Sequence, residues 1–235
     1  MIVLIKLILA HLLGDFVLQP NNWVAAKEAK KLKAYQLYLH LLVHGALTML
    51  IIADLSFWPY AVAIMLIHGL IDVTKLYAQK AQTKRYWFFI DQLGHIITLI
   101  VIAGYLDPTL IDLIYPISEK HWLVITLLVF LSLPASIIIK TVISKWTPAA
   151  DDEIGSLEKA GQYIGILERW FVLVFIIAGK WEAIGFLVAA KSVFRFGDLK
   201  ESKDRKLTEY ILIGTLVSFG LAILCGWIYE QFNHY

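Results

Sequence analysis

Long apolar runs separated by short polar stretches make up most of this chain. Eight can be marked: 2–19, 37–55, 59–78, 87–105, 121–142, 163–179, 182–196 and 209–230. Most approach the roughly 20 residues that a helix needs to cross a hydrocarbon core, and 182–196 is the shortest. A segment in lipid has to satisfy its own backbone, so each run is predicted as a helix. The pattern predicts an all-α protein, a polytopic integral membrane helical bundle of about eight transmembrane helices. A front part at 1–146 carries five of them, a linker occupies 147–162, and a back part at 163–235 carries three. Pro148 stops the fifth helix. The acidic trio Asp151, Asp152 and Glu153 before Gly155 reads as a solvated hinge in preference to a site.

The polar positions inside the apolar runs are not scattered. His11 and Asp15 lie in the first run, His40 and His44 in the second, His68 and Asp72 in the third, Asp91 and His95 in the fourth. Every pair is spaced i,i+4, which puts both side chains on one helix face. Counted from the ends next to the basic loops, all eight groups fall at roughly 6–15 Å depth, at 1.5 Å rise per residue. They form two layers. Asp15, His40, Asp72 and Asp91 are nearer the basic loops; His11, His44, His68 and His95 are deeper. The first four helices are thereby predicted to form a His/Asp-bearing core. Gly14, Gly69 and Gly94 sit within the pairs, where they permit close helix approach.

Composition agrees with membrane burial. The chain has 235 residues, is 59% hydrophobic and 17% charged, and has a mean hydropathy of +0.70. The net charge of +2 matters less than where the charges stand. Loops 20–36, 79–86 and 197–208 are rich in Lys and Arg, whereas the alternate connections are poor in them, which predicts that the basic loops are cytoplasmic. Lys6, near the other end of the first helix, is expected to snorkel outward. The first run lacks a basic leader and holds its own polar pair, so it is read as a retained helix, not a removed signal. The lipid bilayer is the expected partner. Nucleic acid is not, because the basic loops are short and topology accounts for them. The lone Cys225 excludes an intramolecular disulfide.

Five imidazoles and three carboxylates are ligands for a borderline divalent cation such as zinc, iron or manganese. Eight groups suffice for one or two such ions. Three aspartates in a low dielectric also need compensating cations. The competing reading is a metal-free hydrogen-bonded network or proton relay.

The back half carries a second polar set: Glu168 and Arg169, then Lys191 and Arg195 at i,i+4 with Ser192 beside them. Arg169, Lys191 and Arg195 suit a phosphate or carboxylate head group, with Glu168 as a general base or acid. The alternative is internal pairing, Glu168 with Lys191 or Glu209 with Arg195. Lys75 is placed either with this set or snorkelling.

Several of these motifs resemble those of the domain-of-unknown-function 3307 family of multi-pass membrane proteins. They are Gly14-Asp15-Phe16-Val17-Leu18-Gln19, His40 with His44, His68-Gly-Leu-Ile-Asp72, and Asp91-Gln92 with His95. In the back half they are Gly165-Ile-Leu-Glu168-Arg169, Lys191-Ser192 with Arg195-Phe196, and Gly214-Thr215. The resemblance runs over nearly the whole chain. It implies a bacterial inner-membrane protein and supplies no activity.

The residues themselves lead to an expected metal-dependent hydrolase or transferase acting on a lipid-like anionic substrate at the cytoplasmic leaflet. The alternatives are a divalent-metal or proton transporter or channel using the same cluster, and a non-catalytic membrane scaffold. Apolar residues above the deep histidines, with Thr48 and Thr98 as exceptions, favour one-sided access and hence an enzyme.

Overall fold

The computed structural model describes residues 1–106, 118–146, 155–195 and 202–233, and within these it leaves aside the side chains of 155–159, 194, 195, 202–208 and 233. The acidic trio at 151–153 lies outside the described residues. Among the described residues all regular structure is helical. The chain falls into two compact units, Met1–Thr126 and Leu127–Tyr235.

In the first unit, α1 (Ile2–Leu12) continues as a π-helical turn at Leu13–Val17 and breaks before α2 (Asn21–Lys30). The two arms are bent by 82°. Stretch 20–36, expected as a loop, is therefore largely helical. Pro20 precedes the helix, and Ala25, Ala26, Lys27, Glu28 and Ala29 are strong helix formers. Then come α3 (Tyr35–Ile52), α4 (Trp58–Ala78) and α5 (Lys84–Tyr105). Ala53 in the left-handed region ends α3, Asp54 accepts a hydrogen bond from the Ser56 amide, and Pro59 sits in the first turn of α4. That turn chemistry makes a short hairpin connection.

Helix α1 packs on α3, α3 on α4, α4 on α5, and α5 back on α1. The four make a closed ring. Its outer faces carry exposed Leu39, Leu42, Leu66, Leu70, Ile90 and Leu93, while its inner faces bury His40, His44, His68, Asp72, Asp91 and His95. Polar inside and apolar outside is what lipid requires of such a ring. One end is filled by an apolar cluster of Leu7, Ile52, Phe57, Ala61, Ile64, Leu99 and Leu106. Lys6 does not snorkel: it is fully buried, with Nζ 4.7 Å from the centre of the Trp122 ring. A cation on an aromatic face keeps part of the attraction it loses on leaving water.

In the second unit, α6 (Glu119–Leu131, which begins in the first) and α7 (Leu133–Ile143) are the arms of one run bent by 41°. Pro134, which cannot donate a backbone hydrogen bond, stands just after the break. Helix α8 (Gly155–Ile177) starts inside the stretch expected as linker, α9 is Trp181–Arg195, and α10 is Ser202–Asn233. Helix α10 packs on α7 and α8, and α9 packs on α8.

Among the described residues, five helices are long and apolar enough to cross a membrane, or up to seven if each bent pair is one span. The protein is an all-α polytopic membrane bundle with a His/Asp cluster in its N-terminal part. Helix α9, with 15 residues, is about 22 Å long, short of a roughly 30 Å core.

Candidate metal centre

All eight His and Asp residues of the i,i+4 pairs converge inside the α1–α3–α4–α5 ring. The deep histidines pack ring on ring. His44 and His68 stack at 3.8 Å between centroids, His68 and His95 at 3.9 Å, and His11 lies 5.1 Å from His95 and 5.7 Å from His44. They line a cavity of about 10 Å³ with Thr48 and Thr98, closed by Leu7, Ile64 and Leu99. That is room for about one water or one ion.

Asp15 is the hub. Its Oδ1 lies 3.0 Å from His44 Nε2, 3.2 Å from His40 Nε2 and 3.4 Å from His68 Nε2. His40 Nε2 and His68 Nε2 are also only 3.1 Å from each other. A carboxylate oxygen accepts about two hydrogen bonds in good geometry. Three imidazole nitrogens on one oxygen exceed that, and the surplus lone pairs need a cation or a proton between them. Asp15 Oδ2 is already engaged, accepting from Gln92 Nε2 at 2.9 Å, while Gln92 Oε1 sits 3.2 Å from His11 Nε2. Gln19 Nε2 lies 2.9 Å from His40 Nδ1. These two amides orient ligand-type groups as outer partners do around a metal.

The backbone makes room for this. Asp15 lies within the π-helical turn, an irregularity that often accompanies functional sites. Gly14 beside it lets His44 press against α1: a Cβ there would lie 2.5 Å from His44 Cε1 and Nε2. Gly69 faces Leu41 and Gly94 is in ordinary contact with Ile71.

Asp72 and Asp91 are settled differently. Lys27 Nζ donates to Asp72 Oδ2 at 2.8 Å, and Lys75 Nζ donates to Asp91 Oδ2 at 2.8 Å. Lys27 was expected in a solvated loop, and Lys75 was expected to snorkel or join the back half; both enter the centre. Helix α2 delivers Lys27, and an exposed Glu28–Lys84 ion pair fastens that helix to α5. No sequence signal separates Lys27 from Lys30, Lys31 and Lys33. Gln92 and Gln19 do lie inside the motifs quoted above, next to or four residues from a ligand-type Asp.

The donor set fits a divalent cation. Three groups have ligand atoms within 4.8 Å of one another: His11, Asp15, His44 and His68; His40, His68 and Asp72; Asp15, Asp91 and His95. Ligand atoms around a tetrahedral zinc at ~2.1 Å stand ~3.4 Å apart, so a modest contraction suffices. His95 Nε2 and Asp91 Oδ1 are buried without a hydrogen-bond partner, 3.5 Å from each other. Such orphans are costly unless something binds them.

The back-half residues are brought together in part. Glu168 pairs with Lys191, the internal alternative named above. Arg169 is buried and directed at the α6–α7 break. Its Nε donates to the Leu131 carbonyl at 2.6 Å, its Nη2 to the Ser132 carbonyl at 3.1 Å and Ser136 Oγ at 2.7 Å, and its Nη1 to Ser218 Oγ at 3.1 Å. Four of the five guanidinium donors are thus engaged. Arg195 ends α9, and its side chain is outside the described residues.

Residues 3–124 match the model of a family described as Protein of unknown function (DUF3307). The chain belongs to this family. The matched span is just over half of the chain; it holds all eight His and Asp residues and stops before Gly165. The resemblance over the back half therefore rests on its short motifs alone. No curated protein and no solved structure matches the chain.

Proposed function

We propose that this member of the DUF3307 family is a bacterial inner-membrane metalloenzyme. Its His/Asp ring binds divalent metal for hydrolysis or group transfer on a lipid-like anionic substrate, at the leaflet next to the basic connections, on the cytoplasmic side. One observation carries the reading: three imidazole nitrogens, from His40, His44 and His68, lie within 3.4 Å of one oxygen of Asp15. That crowding is excessive for hydrogen bonding and apt for a cation. A divalent ion held there supplies an activated water and polarises a phosphoryl or acyl oxygen. The protein's own part is to fix the ligands through Gln92 and Gln19, and to close the far end with the Leu7, Phe57, Ile64 and Leu99 cluster. One-sided closure supports chemistry at a leaflet over passage through the membrane. Arg169, Lys191 and Glu168 have protein partners, so the proposal gives them no substrate role. An eight-span topology would require α9 to cross at 15 residues.

The second reading is a metal or proton transporter. It is favoured by the break after Val17, two residues beyond Asp15, since interrupted helices form ion sites in transporters. Elemental mass spectrometry on detergent-solubilised protein, purified without chelator, tests the metal claim. Bound metal that is lost in His44→Ala is expected; a metal-free wild-type protein sinks both metal readings. Metal-dependent release of product from a lipid phosphate or ester, against metal flux into liposomes, then separates enzyme from transporter.

A further inference from the structure

We infer that Lys27 and Lys75 are built-in counter-cations that restrict the centre to one divalent ion, held on Asp15. The inference rests on the metal-binding reading above. Among the described residues of the centre, three carboxylates face two ammonium groups. Asp72 and Asp91 each hold a lysine at 2.8 Å. Asp15 has none, and its neighbours are imidazoles and Gln92. With neutral imidazoles the centre carries one uncompensated negative charge, and that charge is on Asp15.

One divalent ion would leave a single excess positive charge, which a monoanionic substrate group would neutralise. A second ion leaves three positive charges inside an apolar ring, a large penalty in a low dielectric. It also has nowhere to bind without displacement. At His40, His68 and Asp72 it meets the Lys27 ammonium, and at Asp91 it meets that of Lys75. The third ligand group also contains Asp91, so the one group free of a lysine-paired carboxylate is Asp15 with His11, His44 and His68. The ion therefore sits on Asp15.

Both lysines are specific to this geometry. Lys27 reaches Asp72 only because the chain turns by 82° after the π-helical turn that carries Asp15. The break therefore supplies the metal-facing carboxylate on one side and the counter-cation for its neighbour on the other. Lys75 comes from α4, one turn beyond Asp72, and crosses to Asp91 on α5.

The test is zinc stoichiometry by elemental mass spectrometry, after loading full-length protein in detergent with excess zinc(II) and desalting. Wild type is expected to hold one ion per chain and Asp15→Asn none. The charge-neutral doubles Lys27→Met/Asp72→Asn and Lys75→Met/Asp91→Asn are expected to keep one. Lys27→Met alone, which frees Asp72, is expected to take up a second. Gel filtration and a thermal melt verify that each variant is folded. Two ions in wild type overturn the inference but leave the metal reading standing; none in wild type overturns both. Loss of the ion from either folded double overturns the inference too, because Asp72 or Asp91 is then a required ligand. A single ion in Lys27→Met shows that the lysines do not set the limit and equally overturns it.

Discussion

The front ring and the Arg169 region of the second unit both bury charge among helices with apolar outer faces, and they settle it in opposite ways. Around Arg169 four of the five guanidinium donors find protein acceptors. At the bend by Ser132 and Pro134 one guanidinium takes the Leu131 carbonyl and two hydroxyls, and shares the Ser132 carbonyl with the Ser136 amide and hydroxyl. Glu168 has Lys191. Around Asp15 imidazoles outnumber what one oxygen accepts, and His95 Nε2 and Asp91 Oδ1, 3.5 Å apart, have no hydrogen-bond partner. A balanced polar network stabilises a fold. An unbalanced one, buried and kept, calls for a missing component. On that difference the chemistry is proposed at Asp15 and a structural role at Arg169.

The largest expected effect breaks the front side of the comparison. Asp15→Asn is expected to abolish bound metal while leaving the helical circular dichroism signal in place, since the ring helices keep their apolar outer faces. Next comes Arg169→Met, expected to destabilise the protein by about 2 kcal/mol, because the Leu131 carbonyl and the Ser136 and Ser218 hydroxyls lose the guanidinium. A lowered thermal midpoint in detergent with unchanged metal content checks it; lost metal with unchanged stability would reverse the two assignments. Gly14→Ala places a methyl 2.5 Å from the His44 ring and is expected to weaken zinc binding about 10- to 100-fold, the range seen when ligand orientation is disturbed. Competition with a chromogenic chelator reads it out. Gln92→Leu removes the amide that holds Asp15 and His11 and is expected to cost about tenfold in the same assay. Gly69→Ala meets only the end of Leu41, a flexible side chain, and is expected to shift stability by less than about 1 kcal/mol with no change in zinc affinity.

Much of this was legible before any coordinates. Helical character and the convergence of four ligand-bearing segments follow from i,i+4 spacing inside apolar runs, since lipid enforces helices and a buried polar face must point inward. What the pattern could not carry was three-dimensional pairing. Lys27 is one of four similar lysines in a basic stretch, and only the break after Asp15 turns it inward. Lys6 is a single charge near a helix end, and its burial against Trp122 depends on a residue over 100 positions away. The bend at Pro134 inside the fifth run, and the Arg169 guanidinium that answers it, are tertiary facts. Loop 20–36 was read by charge, which obscured its helix-forming core.

The central claim is that the ring holds a metal through imidazoles. X-ray absorption spectroscopy at the zinc edge of zinc-loaded protein tests it most directly. Expected are nitrogen and oxygen neighbours at about 2.0–2.1 Å, no sulfur, and the outer-shell scattering of at least two imidazole rings, reduced by one ring in His44→Ala. A spectrum of zinc ligated by oxygen alone, or one that His44→Ala leaves unchanged, would contradict it.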